Sequence, residues 1–308
     1  MTATSWSSHA SSEPSVVLKK QNQKSVLVRV SSRLRRFFRR STSFMRVLPD
    51  FLIVGAQKAG TTSLHSYLES HSDLYAPKGR KELHFFDRYW KSGVGHYKSW
   101  FPTAIEQRLT ARRSGTPSLC FETTPEYMLY PETRERMHEL LGPVPLVVLL
   151  RDPIDRFWSA FKMYQSRWML SASIEELLEA DPALAKHEGR TPDPSLAVHS
   201  AFISKERPLT RGLYAEQLKG LYEFWPRDRV QIFDFSEFAQ DPRAICTQVL
   251  GSFNLPPLDR ESWPTLNKGH GDGFPEHHRA RLQSFFKEPN EELAALLGWT
   301  PSWMRQEP

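Results

Sequence analysis

The sequence predicts an α/β fold, a parallel β-sheet flanked by helices. Four short apolar runs alternate with segments of helical periodicity along the chain. The first run ends in a glycine-containing turn that leads directly into a helical pattern. Strands that alternate with helices form parallel sheets, because each helix returns the chain to the end of the sheet where the previous strand began.

The elements follow one another in a regular order. The predicted strands are FLIVG (51–55), SLCFE (118–122), PLVVLLRDP (145–153) and VQIFDF (230–235). Continuous apolar runs of this kind are typical of strands buried on both faces. The predicted helices are the one after the turn and the segments 131–141, 155–168, 211–224, 241–252 and 276–286. Segment 182–208 has several prolines and no clear period, so we expect an insertion or surface region there.

The N-terminal segment differs in charge from the rest of the chain. Residues 1–50 hold ten Lys and Arg against two Asp and Glu, which leaves 31 basic and 33 acidic residues elsewhere. Because the body is near neutral, the net charge of +6 does not indicate a nucleic-acid partner. We predict a basic, Ser/Arg-rich tail at 1–47 and one domain at 48–308.

Three interpretations of the tail stay open. Apolar residues recur at helical spacing from Val26 to Phe38 beside a stripe of arginines, a pattern typical of an amphipathic helix on an anionic membrane. The composition also suits an organelle transit peptide or a disordered, solvated segment. No run of about 18 apolar residues occurs that could span a membrane.

The cysteine content bears on the compartment. Cys120 and Cys246 are the two cysteines, a number that argues against a disulfide scaffold or a thiolate zinc site. A reducing compartment is the simpler expectation, so we expect a cytoplasmic protein. An organelle lumen or a membrane surface reached through the tail is the alternative.

The turn VGAQKAGTT (54–62) differs from a nucleoside-triphosphatase loop in the position of its lysine. That loop reads G-x-x-x-x-G-K-[ST]. Gly55 and Gly60 keep the spacing, but Thr61 stands at the lysine position and the lysine is Lys58. Backbone N–H groups at a helix N-terminus bind anions, so the turn predicts a phosphate site. A plain turn between strand and helix is the alternative.

The sequence offers no obvious carboxylate for magnesium at this loop. Triphosphatases of this class need an acid on a neighbouring strand. Asp152 follows the third predicted strand, but Pro153 comes next, so Asp152 is expected to cap the following helix. We therefore expect no metal. Asp272, Glu276, His277 and His278 could form a metal site, but the exposed start of a helix explains them better.

Five segments together resemble the sulfotransferases that use 3′-phosphoadenosine 5′-phosphosulfate (PAPS), especially the bacterial and heparan-sulfate-type carbohydrate branch. They are LPDFLIVGAQKAGTTSL (48–64), KELHFFD (81–87), FETTPEYM (121–128), LLRDPIDRFWSAF (149–161) and RGLYAEQL (211–218). The resemblance covers about residues 48–300. It implies the sulfotransferase version of the P-loop fold, with PAPS as donor co-substrate.

The resemblance assigns donor-binding roles to three parts of the chain. Lys58 would contact the bridging oxygen and the 5′-phosphate. A sulfuryl group carries less negative charge than a phosphoryl group, so one ammonium and hydrogen bonds would take the place of magnesium. The same 5′-phosphate would be cradled by Ala59, Gly60, Thr61, Thr62 and Ser63. The 3′-phosphate would be bound by Arg151 and Ser159, and the late LNKGHGDGF loop (266–274) would close over the donor through Lys268 and Gly269.

These donor assignments have support and an alternative in the residues themselves. An arginine at the end of a parallel strand and a serine early in the next helix suit a phosphate dianion. A surface ion pair between Arg151 and Asp155 is the alternative.

Glu82 and His84 are the predicted catalytic pair. Transfer to an alcohol requires a base, and residues i and i+2 of an extended segment share one face. The resemblance makes Glu82 the base, His84 its support and Lys58 the group that stabilises the leaving nucleotide. An exposed charge and a core histidine are the alternatives.

One departure from the family bears on the acceptor. Heparan sulfate enzymes usually read E-K-T-P where this chain has ETTP, so Thr123 replaces a lysine while Glu122 remains. This puts a glycosaminoglycan substrate in question. The acceptor pocket is expected from segments 86–101 and 160–212, whose aromatic residues either stack on sugars or form core: Trp90, Tyr97, Trp100, Tyr164 and Trp168.

The predicted activity is in-line transfer of a sulfuryl group from PAPS to a hydroxyl, less readily an amine, of a small-molecule or carbohydrate acceptor. A P-loop nucleotide kinase or NTPase and a non-catalytic nucleotide-binding protein are the alternatives. The identity of the acceptor and the oligomeric state are left open.

Overall fold

The computed structural model describes residues 38–168, 172–196, 203, 206–264 and 273–305. Within these residues five strands form one sheet: β1 (Phe51–Gly55), β2 (Leu74–Tyr75), β3 (Leu119–Thr123), β4 (Leu146–Leu150) and β5 (Val230–Asp234). Their order is β2-β3-β1-β4-β5, and every neighbouring pair is parallel. The predicted parallel sheet is therefore confirmed, with β1 at its centre. All five residues of β1 and of β4 are buried, as their apolar runs predict.

Helices cover the sheet. They are α1 (Thr61–Glu69), α2 (Val94–Lys98), α3 (Ala104–Ser114), α4 (Pro131–Leu141), α5 (Pro153–Trp168), α6 (Ile174–Glu179), α7 (Pro182–His187), α8 (Tyr214–Tyr222), α9 (Phe235–Gln240), α10 (Pro242–Gly251) and α11 (Glu276–Leu297). The predicted helices all occur, but α11 continues well beyond residue 286 and contains Pro289. Contacts with α8, including the ion pair between Lys219 and Glu292, support that extension.

Two unpredicted helices begin with a signal that the sequence carries. Thr103 caps α3 by accepting from the Glu106 amide, and the Glu106 side chain accepts in return from Thr103. Ser173 and Glu176 form the same capping box at α6. A threonine or serine followed three residues later by glutamate is the sequence mark of this motif.

The segment 182–208 begins as part of a second apolar cluster. Leu184 and Ala185 of α7 are fully buried. Side chains of α5, α6 and α11 join them, among them Phe157, Phe161 and Phe286. The expectation of a surface region is thus wrong for the start of this segment, because Pro182 is the first residue of a short helix with one apolar face.

The end of the predicted tail contacts the domain. Arg39 Nη2 and Arg46 Nη1 donate to the Phe101 carbonyl at 3.0 and 2.7 Å, and Val47 N donates to the Pro102 carbonyl at 3.1 Å. The helical stripe predicted from Val26 onward falls almost wholly outside the described residues. A domain boundary at residue 47 stays a prediction, and these contacts show that residues 39–47 belong beside the fold in any shortened chain.

Candidate active site at the carboxyl edge of the sheet

The predicted phosphate loop connects β1 to α1 in a tight turn. Gly60 precedes α1 with φ 87°, and a Cβ there would lie 2.8 Å from the Phe235 ring. Glycine is therefore required at this position both by backbone angle and by space. Lys58 also has a left-handed backbone, with φ 70°. The turn leaves the first amides of α1 directed towards the carboxyl edge of the sheet, which suits an anion.

Arg151, at the end of β4, is tied to the phosphate loop. Its Nη1 donates to the Lys58 carbonyl at 3.2 Å, and its guanidinium lies 4.8 Å from the centre of the Phe235 ring. The ion pair with Asp155 is present but long, at 3.9 Å. Asp152 Oδ1 accepts from the amides of Ile154 and Asp155, which confirms the predicted helix cap. Ser159 lies half-buried further along α5.

Glu82 and His84 meet, although the segment is not extended. His84 has φ 52° and starts a single π-helical turn at Phe85–Tyr89. Glu82 Oε2 lies 3.5 Å from His84 Nε2, and His84 Nδ1 lies 2.8 Å from Asp87 Oδ2. The extended geometry predicted for this pair is wrong. Because His84 itself has a left-handed backbone, its ring lies beside the Glu82 carboxylate. Asp87 contacts the other ring nitrogen of His84.

This arrangement sets the charges of the pair. Burial alone would raise the pKa of Glu82, but hydrogen bonding to His84 and the charge of Lys81 outweigh it and lower that pKa to about 2. Burial alone would lower the pKa of His84, but hydrogen bonds with Asp87 and Glu82 outweigh it and raise that pKa to about 9. At neutral pH the pair is a carboxylate beside an imidazolium.

Lys81 and Asp87 complete the site, and the sequence reasoning missed both. Lys81 Nζ donates to Thr62 Oγ1 at 2.9 Å and to Glu82 Oε1 at 3.1 Å. Lys81 thus connects the phosphate loop with the predicted base. Both residues stand inside KELHFFD, but only the turn at His84 reveals that Asp87 supports the histidine.

Glu122 and Thr123 lie behind this site in the core. Glu122 is fully buried and accepts hydrogen bonds from the hydroxyls of Tyr97, Tyr127 and Thr124. Burial raises the pKa of Glu122. Tyr97 is therefore core and not an acceptor contact. Tyr164 is likewise buried, Trp90 and Trp100 are half-buried, and the side chain of Trp168 lies outside the described residues.

A second acidic group approaches the site from the segment after β3. Gln57 Nε2 donates to Glu126 Oε1 at 3.0 Å, and Arg211 Nη1 lies 3.8 Å from the same oxygen. Glu126 and Arg211 are both buried. This pairing explains why the FETTPEYM and RGLYAEQL segments belong to one site although they are far apart in sequence.

Comparison with known proteins decides the family. Residues 48–261 match the family of the sulfotransferase domain, which is well over half of the chain. The chain belongs to the sulfotransferase family. This confirms the resemblance drawn from the five sequence segments.

The curated relatives of this chain described next are all named as sulfotransferases. Membrane-associated sulfotransferase kil1 of Dictyostelium discoideum is 23% identical over 83% of this chain. Human bifunctional heparan sulfate N-deacetylase/N-sulfotransferase 3 is 26% identical over 84% of it, and mouse heparan sulfate glucosamine 3-O-sulfotransferase 6 is 25% identical over 84%. The matches span 66%, 31% and 74% of these three relatives, so the chain corresponds to only part of each.

A solved structure agrees with the fold of this sulfotransferase. The crystal structure of a sulfotransferase from Alicyclobacillus acidocaldarius superposes with a TM-score of 0.57 and 26% sequence identity. The match covers 84% of this chain and 100% of that one. The predicted P-loop-like sulfotransferase fold is confirmed by this likeness together with the parallel sheet.

The expectation of a cytoplasmic protein is wrong in the light of these relatives. One is named as membrane-associated and others as heparan sulfate enzymes. The inference from two cysteines failed because Cys120 and Cys246 are both buried free thiols. Buried thiols react slowly and carry little information about the compartment. No helix formed by the described residues is long and apolar enough to cross a membrane.

Among the described residues of this sulfotransferase, two groups of side chains have the spacing of metal ligands. Atoms of Glu82, His84 and Glu126 lie within 4.8 Å of one another, as do atoms of Glu175, His277 and His278. A protonated imidazole has no free lone pair for a metal, so the raised pKa of His84 disfavours the first group. In the second group Glu175 and His277 are exposed. Asp272, Lys268 and Gly269 lie outside the described residues.

Proposed function

We propose that this sulfotransferase moves a sulfuryl group from PAPS to a hydroxyl of a carbohydrate acceptor. One observation carries the proposal: the phosphate loop, with Lys58 and its two threonines, lies beside the carboxylate–imidazolium pair of Glu82 and His84. Lys81 joins the two through hydrogen bonds to Thr62 and Glu82. A site for an anionic donor therefore adjoins a site for proton transfer.

The residues present fit a nucleotide with two separate phosphate groups. The backbone amides at the start of α1, which follows the left-handed Gly60, would bind the first phosphate. Lys58 and the hydroxyls of Thr61 and Thr62 would bind the same 5′-phosphate. Arg151, held against the loop at the end of β4, would bind the 3′-phosphate together with Ser159 on α5. PAPS would supply the activated sulfuryl group.

Each side chain has a defined part in the proposed reaction. Glu82 accepts the proton of the acceptor hydroxyl as that oxygen attacks. His84, held by Asp87, keeps the Glu82 carboxylate in place. Lys58 stabilises the negative charge that develops on the leaving phosphate oxygen. The reaction is an in-line displacement with attack opposite the leaving group.

The surroundings of Glu82 favour a sugar acceptor that carries anionic groups. Arg80 Nε donates to the Glu82 carbonyl at 2.9 Å, and its guanidinium lies 5.1 Å from the centre of the Tyr89 ring and 6.0 Å from that of Trp100. Tyr89 is 39% exposed. An aromatic face beside two arginines, Arg80 and the exposed Arg88, can stack on a sugar and pair with its acidic substituents. The heparan sulfate enzymes among the relatives act on such carbohydrates by name.

The two alternatives fit the site less well. A magnesium-dependent kinase or NTPase needs a carboxylate for the metal, and Asp152 already caps α5. Nucleotide binding without catalysis does not explain the ion pair of Glu82 and His84, or the contact of His84 with Asp87. The proposal does not require a metal.

Nucleotide affinity tests the donor assignment. We expect 3′-phosphoadenosine 5′-phosphate (PAP) to bind more tightly than ATP by about tenfold or more, because Arg151 is proposed to bind a 3′-phosphate that ATP lacks. A charge-assisted hydrogen bond is worth about 1.5–3 kcal/mol. Isothermal titration calorimetry with each nucleotide, with and without Mg²⁺, measures this. Equal affinities, or tight ATP binding that depends on Mg²⁺, would favour the kinase alternative.

We also propose that the N-terminal segment contacts an anionic membrane. Phe38 is 65% exposed and Phe44 79% exposed, and both lie among the basic residues Arg39, Arg40 and Arg46. Exposed aromatic side chains beside arginines suit the interface of a bilayer. The preceding residues add further positive charge. The name of the Dictyostelium discoideum relative is consistent with this proposal.

Vesicle sedimentation tests the membrane proposal. Each basic residue near an anionic bilayer contributes about 1 kcal/mol, so the full chain should sediment with phosphatidylserine vesicles at about 0.05 M salt. It should be released at about 1 M salt, where the Debye length is only about 3 Å. A shortened chain that begins at Phe38 keeps the contacts of Arg39 and Arg46 and serves as the control, with weaker sedimentation expected. A full chain that stays in the supernatant at low salt would refute the proposal.

A further inference from the structure

The ammonium group of Lys81 lies between the phosphate loop and the proposed base. Its Nζ is 2.9 Å from Thr62 Oγ1, 3.4 Å from Thr61 Oγ1 and 3.1 Å from Glu82 Oε1. The side chain is 19% exposed, so it is held largely inside the site. The roles proposed above for Lys58, Glu82 and His84 do not use it.

The end of β3 leaves a position without positive charge. Thr123, the last residue of β3, is uncharged and fully buried, and its Oγ1 lies 2.9 Å from His65 Nδ1. Burial first, and then the charge of Lys81, lower the pKa of His65 to about 4, so His65 is neutral. His65 thus contacts Thr123 on β3 and is also affected by the positive charge of Lys81. The cation at this side of the site comes from the loop after β2 instead of from β3.

We propose that Lys81 contacts the sulfuryl group during transfer and supplies the positive charge that Thr123 does not. The inference rests on the proposed sulfotransferase function. In the step, the acceptor oxygen forms a bond to sulfur while the bond from sulfur to the phosphate oxygen breaks. The acceptor proton goes to Glu82, and nothing is oxidised or reduced. Lys81 donates hydrogen bonds to sulfuryl oxygens, and Lys58 donates to the leaving oxygen.

The present partners of Lys81 allow this change. Two are hydroxyl groups, which can donate or accept, and the third is a carboxylate whose side chain is 38% exposed. A partly exposed ion pair contributes little, and a lysine stem is flexible enough to move its ammonium by a few ångströms. A move towards the sulfuryl group would also take one stabilising partner away from Glu82. The base would then become stronger only when the donor is bound.

Three variants test the role of Lys81. Lys81→Met removes the charge and keeps the length, Lys81→Arg keeps the charge, and Lys78→Met removes an exposed lysine of the same loop as the control. Turnover is measured as PAP release from PAPS, with heparan sulfate as acceptor and separately with water alone. PAP affinity is measured by calorimetry, because PAP has the phosphates but no sulfuryl group.

We expect Lys81→Met to lower turnover by about a hundredfold or more, as for loss of one charged donor to a transition state. PAP affinity should stay within about threefold of the wild-type value. Lys81→Arg should retain more turnover than Lys81→Met, and Lys78→Met should match the wild type.

Two results would overturn the inference and leave the proposed function intact. One is equal turnover of Lys81→Met and Lys78→Met. The other is a fall in PAP affinity that parallels the fall in turnover, which would mean that Lys81 only holds the phosphate loop. If a wild-type chain that binds PAP releases none from PAPS with heparan sulfate or with a panel of other carbohydrates, the proposed function itself is overturned, and the role of Lys81 with it.

Discussion

Glu82→Gln is expected to lower sulfate transfer by about a thousandfold. The amide keeps the size of the side chain, but its single oxygen can accept from only one of Lys81 and His84, and it cannot take a proton. A positioned base contributes about 10²–10⁴ in rate. PAP affinity should stay within about threefold, because Glu82 lies on the acceptor side of the site. Turnover is measured as PAP release from PAPS with heparan sulfate, and affinity by calorimetry.

Glu132→Gln is the matched control for Glu82→Gln. Glu132 is an exposed residue in the first turn of α4 to which the proposed mechanism gives no part, and its amide should leave turnover unchanged. A turnover of Glu82→Gln within tenfold of this control would show that another group is the base. Glu126 would then be the residue to examine, since its carboxylate lies within 4.8 Å of the ligand atoms of Glu82 and His84.

Most of the sheet could be predicted because each central strand is a continuous apolar run in the sequence. β1 and β4 are buried on both faces, and such strands need unbroken apolar runs. Strand β2 has only two residues, Leu74 and Tyr75, and no periodicity can be read from so short a segment. Helix α3 has no buried residue, so it lacks an apolar stripe, although its capping box was visible in the sequence.

The site was predictable where a role follows from local sequence. The phosphate loop needs only a strand, two glycines and a helix, and these are contiguous. The connection of Lys81 to Thr62 depends on how the chain after β2 crosses α1, and no local pattern encodes it. Asp87 escaped notice because its contact with His84 requires a left-handed residue at a position where glycine is absent.

Lys58→Ala is expected to lower turnover by about a hundredfold or more, the usual loss for one charged donor at a leaving group. The substitution removes the charge of the side chain without changing the backbone conformation that this position requires. Lys58 has φ 70°, and alanine meets the same left-handed strain as lysine, so the shape of the loop should persist. Turnover is measured as PAP release and PAP affinity by calorimetry, with Lys78→Met as the control variant.

The two lysines should differ in their effect on the product nucleotide. Lys58 is proposed to touch the 5′-phosphate, which PAP retains, so Lys58→Ala should weaken PAP binding by about tenfold as well as slow turnover. Lys81→Met should slow turnover alone, because its proposed contact is with the group that PAP has lost. If Lys58→Ala leaves PAP affinity unchanged, Lys58 does not contact that phosphate. Arg151, whose Nη1 donates to the Lys58 carbonyl, would then be one described cation able to take its place.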